Sequence, residues 1–83
     1  MINVLFFAQV REQLQLSHLL VPKNEAIQTA DELRLHLSQK GDRWAKALES
    51  ERLLVAVNQT ISQWDARVQD GDEVAFFPPV TGG

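Results

Sequence analysis

Apolar residues in this chain form short runs whose composition and spacing are typical of β-strands. The run Ile2–Ala8 and the run Glu73–Phe77 are rich in β-branched and aromatic residues and nearly continuous in apolar character. Such runs are typical of central strands. Shorter runs at Leu16–Val21, Leu53–Val57 and Thr60–Ser62 predict three further strands.

A helical pattern follows the second predicted strand. Thr29 and Glu32 have the spacing of a capping box, in which each side chain satisfies a backbone N–H at the start of a helix. Leu33 and Leu37 then repeat at i and i+4, which predicts an amphipathic helix of about three turns. Gly41 is predicted to end this helix as its C′ residue.

Weaker signals predict the remaining connections. The spacing in Gln9–Leu14 indicates one or two helical turns, and Asp42 is predicted to cap a short helix that buries Trp44. Two segments with turn-forming composition, Asn58-Gln59 and Asp70–Asp72, precede the last two strands.

This order of elements predicts an α+β domain. The first and last long strands are expected to lie side by side and parallel in the middle of a mixed sheet. Leu16–Val21 would pair antiparallel with the first strand, since their connection is short. One helix would pack across one face of the sheet, which is the β-grasp or ubiquitin-like layout. The prediction is a domain over residues 1–77 followed by an extended tail at 78–83.

Composition excludes several kinds of chemistry. The 83 residues contain no cysteine, so disulfides, thiolate zinc sites and a cysteine nucleophile are excluded. The histidines His18 and His36 are isolated, so neither a metal site nor a catalytic set is predicted. The net charge of −3 does not favour nucleic-acid binding. The apolar run at the N-terminus is too short for a signal peptide or membrane span, and a cytoplasmic protein is expected.

Alternation along the strands predicts an exposed apolar patch. If Phe6 and Phe76 point under the helix, Phe7 and Phe77 point to the opposite face. A single helix cannot cover both faces of so small a sheet, so these two residues, together with Ile61, would form a surface for a partner. Cover by loops is the alternative.

The C-terminal residues form a distinctive tail. Pro78 and Pro79 lack a backbone N–H and hold the chain extended beyond the last strand. Gly82 and Gly83 have no side chains and fit a narrow channel. The tail reaches at most about 20 Å, which suits delivery of the Gly83 carboxylate into another protein. A frayed end is the simpler interpretation of the tail alone.

Three segments resemble the small, sulfur-carrier subunits of molybdopterin synthases. They are Val4–Glu12, Ala56–Thr60 and Asp70–Gly83, of which the last is the most specific. The resemblance implies a β-grasp fold and a partner-binding surface at Phe7, Ile61 and Phe77.

The same resemblance implies a chemical role for the tail residues Thr81, Gly82 and Gly83. Gly83 would be adenylated by a ubiquitin-activating-like enzyme using ATP and magnesium, and a sulfur donor such as a cysteine desulfurase system would convert it to a thiocarboxylate. The tail would then enter the large subunit and give its sulfur to cyclic pyranopterin monophosphate. The implied complex is a heterotetramer, and the chain itself holds no cofactor or metal. The remaining alternatives are a sulfur carrier for the thiazole of thiamine, a ubiquitin-like modifier and a plain binding module.

Overall fold

The computed structural model describes residues 1–79, and Val80–Gly83 lie outside the described residues. Residues 1–79 form five strands and three helices. In chain order these elements are β1 (Ile2–Phe6), α1 (Ala8–Leu14), β2 (His18–Val21), α2 (Ala30–Ser38), α3 (Asp42–Leu48), β3 (Leu54–Val57), β4 (Thr60–Ser62) and β5 (Glu73–Phe77).

The strands form one mixed sheet in the order β2-β1-β5-β3-β4. β1 and β5 pair in parallel, as predicted, and the other neighbours are antiparallel. Ile2, Val4 and Phe6 of β1 are buried in a core that includes Leu33 and Leu37 of α2. The α+β, β-grasp prediction is therefore confirmed, with the helical layer on one face of the sheet.

Aromatic side chains organise this core. Phe6 and Phe76 stack at 6.1 Å between ring centroids. Trp44 meets the edge of Phe6 at 5.8 Å and is half-buried, so it lies at the margin of the core rather than inside it. Trp64 stacks on Phe76 at 6.0 Å, and the guanidinium of Arg34 lies 3.9 Å from the Trp64 ring centroid. Trp64 therefore packs over Phe76 at the edge of the core.

The first strand is shorter than predicted. It ends at Phe6, not Ala8, because Ala8 adopts a positive φ of 52° that turns the chain into α1. Phe7 precedes this helix as its N-cap, with no side-chain capping bond. β2 and β3 also begin later than predicted, at His18 and Leu54.

Two predictions at the α2–α3 connection were wrong: Gly41 is not the C′ residue of α2, and Asp42 is not the N-cap of α3. α2 ends at Ser38, with Gln39 as its C-cap, and the N–H of Lys40 donates to Leu37 O at 3.1 Å. This bond tightens the end of the helix before Gly41 is reached. Gly41 instead precedes α3 as its N-cap at φ 153°, and Asp42 is the first residue of α3. No side-chain cap bond forms at this end of α3.

The start of α2 agrees with the capping prediction. The Thr29 hydroxyl accepts a hydrogen bond from the Glu32 N–H at 3.2 Å. The Glu32 carboxylate accepts from the N–H of Gln28 at 3.0 Å, one residue earlier than the predicted partner. The bond to Thr29 satisfies a backbone donor that a helix start leaves without an intrahelical partner, and the bond to Glu32 holds the residue before the N-cap.

β5 ends at Phe77, which is where the predicted domain 1–77 meets the predicted tail 78–83. The division itself stays a prediction, because most of the tail lies outside the described residues. Within residues 1–79, no helix combines the length and apolar character needed to cross a membrane.

Candidate functional site

The face of the sheet opposite the helices carries a row of residues that crosses all five strands. Strand pairing aligns His18 with Leu5, Leu5 with Ala75, and Ala75 with Ala56. Ala56 in turn pairs with Ile61 on β4. Directly paired residues share a face of the sheet, so these five side chains lie in one row. From Leu5 to Ile61 every residue of the row is apolar.

Two alanines in the middle of this row create a depression. Ala75 and Ala56 have short side chains and are only 7 % and 8 % exposed. The larger residues around them rise above the sheet and enclose a volume of ≈ 560 Å³. Its lining consists of Leu5, Phe7, Ala8, Ala56, Gln59, Glu73, Ala75, Phe77 and Pro78. An apolar concavity with aromatic walls is typical of a surface that receives a partner's side chains.

The structure brings two of the three predicted patch residues to this depression. Phe7 is 44 % exposed and Phe77 is half-buried, and both line it. Phe7 lies outside β1, but its N–H donates to Phe76 O at 3.2 Å and so keeps it beside β5. Ile61 is on the same face and 71 % exposed, yet it lies one strand further out and does not line the depression. We call Leu5, Phe7, Ile61 and Phe77 the outer-face patch.

Several lining residues were not singled out from the sequence. Ala56 and Ala75 carried a usable signal, since they are the small residues at outward positions of otherwise bulky strands. Gln59 carried a weaker one, because it occupies a two-residue turn position that usually holds glycine. No sequence signal indicates Ala8, because a positive φ does not change the pattern of apolar residues.

The tail begins at the border of this depression. Pro78 lines it and also lines a second cleft of ≈ 430 Å³ between α1, α3 and the start of the tail. The cations of Lys46 and Arg52 lie on that second cleft, as does Pro79. The chain therefore leaves the sheet between an apolar surface and a positively charged one. The predicted tail residues Thr81, Gly82 and Gly83 lie outside the described residues.

The described residues offer binding surface more than reactive groups. Within residues 1–79, no three histidine, aspartate or glutamate side chains are grouped so that they could hold a metal ion. In the same part of the chain, every buried side-chain nitrogen or oxygen has a hydrogen-bond partner. The feature that this arrangement provides is an apolar depression beside Pro78, the first residue of the predicted tail.

Comparison with known proteins places this architecture in a family. Residues 4–83 match the model of the ThiS family. The molybdopterin synthase sulfur carrier subunits of Haemophilus influenzae and Escherichia coli are each 54 % identical to this chain, over 100 % of this chain and 100 % of theirs. A similar solved structure is a complex of subunits 1 and 2 of the molybdopterin-converting factor from Helicobacter pylori. The matching chain there has 25 % identity and a TM-score of 0.67, over 99 % of this chain and 97 % of that one. On these matches, the chain belongs to the ThiS family.

Proposed function

We propose that this chain is the sulfur carrier subunit of a molybdopterin synthase, with the carboxylate of Gly83 as the group that carries sulfur. The observation that carries the proposal is the 54 % identity, over the full length, to two relatives that bear this name. The apolar depression beside the root of the tail supports it, because a carrier has to dock while its end reaches into another active site.

The proposed chemistry needs an activated carboxylate. A carboxylate is a poor acyl donor, so an oxygen of Gly83 attacks the α-phosphorus of ATP on a ubiquitin-activating-like enzyme that also holds Mg²⁺, and pyrophosphate leaves. A sulfur nucleophile from a donor such as a cysteine desulfurase system then displaces AMP from the acyl-adenylate. Where that nucleophile is a persulfide, the product is an acyl disulfide, and a thiol of the donor system attacks its donor-side sulfur, so that the thiocarboxylate leaves with the electron pair and the donor is left as a disulfide. This chain supplies no cysteine that could compete for the activated acyl group.

Under the proposal, the large subunit of molybdopterin synthase is the acceptor. The outer-face patch docks on it, and Pro78 and Pro79 direct the tail, with Thr81 and Gly82, into its active site. The sulfur of the thiocarboxylate passes to cyclic pyranopterin monophosphate and becomes part of the dithiolene. The Helicobacter pylori complex of subunits 1 and 2 supports such a partner. A heterotetramer working in the cytoplasm, with one carrier at each end of a dimer of large subunits, completes the proposal.

In this scheme the chain is a reactant and not a catalyst. Gly83 is consumed as a sulfur donor and recharged, while the acid–base and pterin-binding groups belong to the large subunit. The contribution of this chain is the docking free energy and the correct placement of one terminal group.

Growth complementation tests the proposal in cells. The chain is expected to restore molybdoenzyme activity in a strain that lacks its own molybdopterin sulfur carrier, and to leave a strain without the thiazole carrier unrescued. A variant lacking Gly83, expressed at the same level, is the control and should rescue neither strain. Rescue of the thiazole strain alone, or rescue by the truncated control, would contradict the proposal.

A further inference from the structure

The turn between β3 and β4 has an unusual residue in a strained position. Asn58 and Gln59 form its two central positions, with φ values of 51° and 67°. Positive φ at both positions is the requirement of a type I′ hairpin turn, whose second position is typically glycine. A residue with a Cβ raises the energy of this left-handed conformation by roughly 1–2 kcal/mol.

Asn58 has a structural reason to be there. Its backbone N–H donates to Glu73 O at 2.8 Å, and its side-chain oxygen accepts from the Glu73 N–H at 3.0 Å. Its side-chain NH₂ donates to the Asp72 carboxylate at 3.1 Å. These bonds fix the turn to the start of β5, and asparagine tolerates the left-handed region better than most residues.

Gln59 has no comparable reason among the described residues. Within residues 1–79, no hydrogen bond involves its side chain, although the backbone is held in the left-handed region. Gln59 lines the apolar depression near the start of β5, whereas Phe77 lines it at the end of that strand. Ala8 is a second non-glycine residue with positive φ, and it also lines the depression. Two of the four non-glycine residues with positive φ among residues 1–79 therefore line this surface, and strained backbone of this kind is common at functional sites.

We propose that Gln59 is a recognition residue of the docking surface, and that its side-chain amide pairs with a backbone peptide group of the large subunit. This inference rests on the proposed function. A primary amide has one acceptor and one donor group side by side, which match the N–H and C=O of an extended segment. At the border of an apolar depression such a pair fixes the register of the partner, because a mismatched segment would leave buried polar groups unpaired. Glycine would relax the turn but would remove this contact.

The test is a pair of measurements on Gln59→Gly, its melting temperature and its affinity for the purified large subunit. We expect the melting temperature to rise by about 4 °C, because glycine removes the strain. The affinity is expected to fall about tenfold, the equivalent of one lost hydrogen bond to a partner. Gln59→Glu keeps the size of the side chain but loses the amide donor, so its affinity should fall without a rise in melting temperature.

Asn58→Gly is the matched control for loosening the same turn. It removes the side-chain bonds to Asp72 and Glu73 and keeps the backbone bond to Glu73 O, so its melting temperature should fall, while its affinity should stay within about twofold of the parent chain. Unchanged affinity of Gln59→Gly, a lower melting temperature of that variant, or an equal loss of affinity in Asn58→Gly would each overturn the inference. If the unaltered chain fails to bind the large subunit, the proposed function fails and the inference with it. If the chain binds and Phe77→Ala weakens binding while Gln59→Gly does not, only the inference fails.

Discussion

At the scale of single residues, neighbours in the sequence have separate roles because successive side chains of a strand point to opposite faces. Phe76 is fully buried between Phe6 and Trp64, whereas Phe77 is half-buried and lines the apolar depression. Alternation predicted this division from the sequence. The strained angles of Ala8 and Gln59 could not be predicted in the same way, because φ depends on where the flanking strands pair.

The two phenylalanines provide a direct comparison. Phe77→Ala is expected to weaken binding to the large subunit by about 2 kcal/mol or more, as for an aromatic residue central to an interface. Phe76→Ala is expected to lower the free energy of unfolding by about 3–5 kcal/mol, because it leaves a cavity in the core. Thermal melts and binding titrations on both variants separate the effects. A larger loss of stability in Phe77→Ala than in Phe76→Ala would contradict the assignment of the two faces.

At the scale of elements, the parallel pair β1–β5 is held at its start by a clasp between the first residues and the turn before β5. The N–H of Gly71 donates to Met1 O at 3.0 Å, and the N–H of Asn3 donates to Asp72 O at 2.9 Å. The amino group of Met1 also forms an ion pair with Asp70. Sequence pattern predicted the turn at Asp70–Asp72 but not this clasp, which joins residues far apart in the chain. The predictions for Gly41 and Asp42 were wrong because both depend on where α2 ends, which the pattern of apolar residues does not determine.

The clasp predicts a pH dependence that can be measured on one carboxyl group. The hydrogen bond from the Met1 amino group, and then its positive charge, lower the pKa of Asp70 below the ordinary value of 3.8. Because the pKa is lower in the folded state, the ion pair stabilises the fold above the unfolded-state pKa, and this stabilisation is lost as the pH falls through the folded-state pKa. NMR titration should give Asp70 a midpoint below 3.8, and acetylation of the Met1 amino group should raise that midpoint. Equal Asp70 midpoints in the acetylated and the unacetylated chain would contradict the clasp.

At the scale of the whole molecule, the fold was predictable because the spacing of apolar residues distinguishes strands from helices along the chain, and the resulting order of elements fits one layout. Two strongly apolar runs at opposite ends, each suited to a central strand, were enough to place β1 beside β5. The apolar depression was predictable only in outline. Phe7 and Phe77 followed from alternation, but the depression between them depends on Ala56 and Ala75 meeting across two strands, which requires the register.

The central claim is that Gly83 carries sulfur, and intact-mass spectrometry of the purified chain tests it most directly. The chain is incubated with its activating enzyme, ATP, Mg²⁺ and a sulfur donor, beside a variant that lacks Gly83. We predict a mass increase that equals exchange of one oxygen for sulfur, dependent on ATP, absent from the variant and, after proteolytic digestion, confined to the C-terminal peptide. An unchanged mass under conditions that charge a known carrier, or a modification at a residue other than Gly83, would contradict the account.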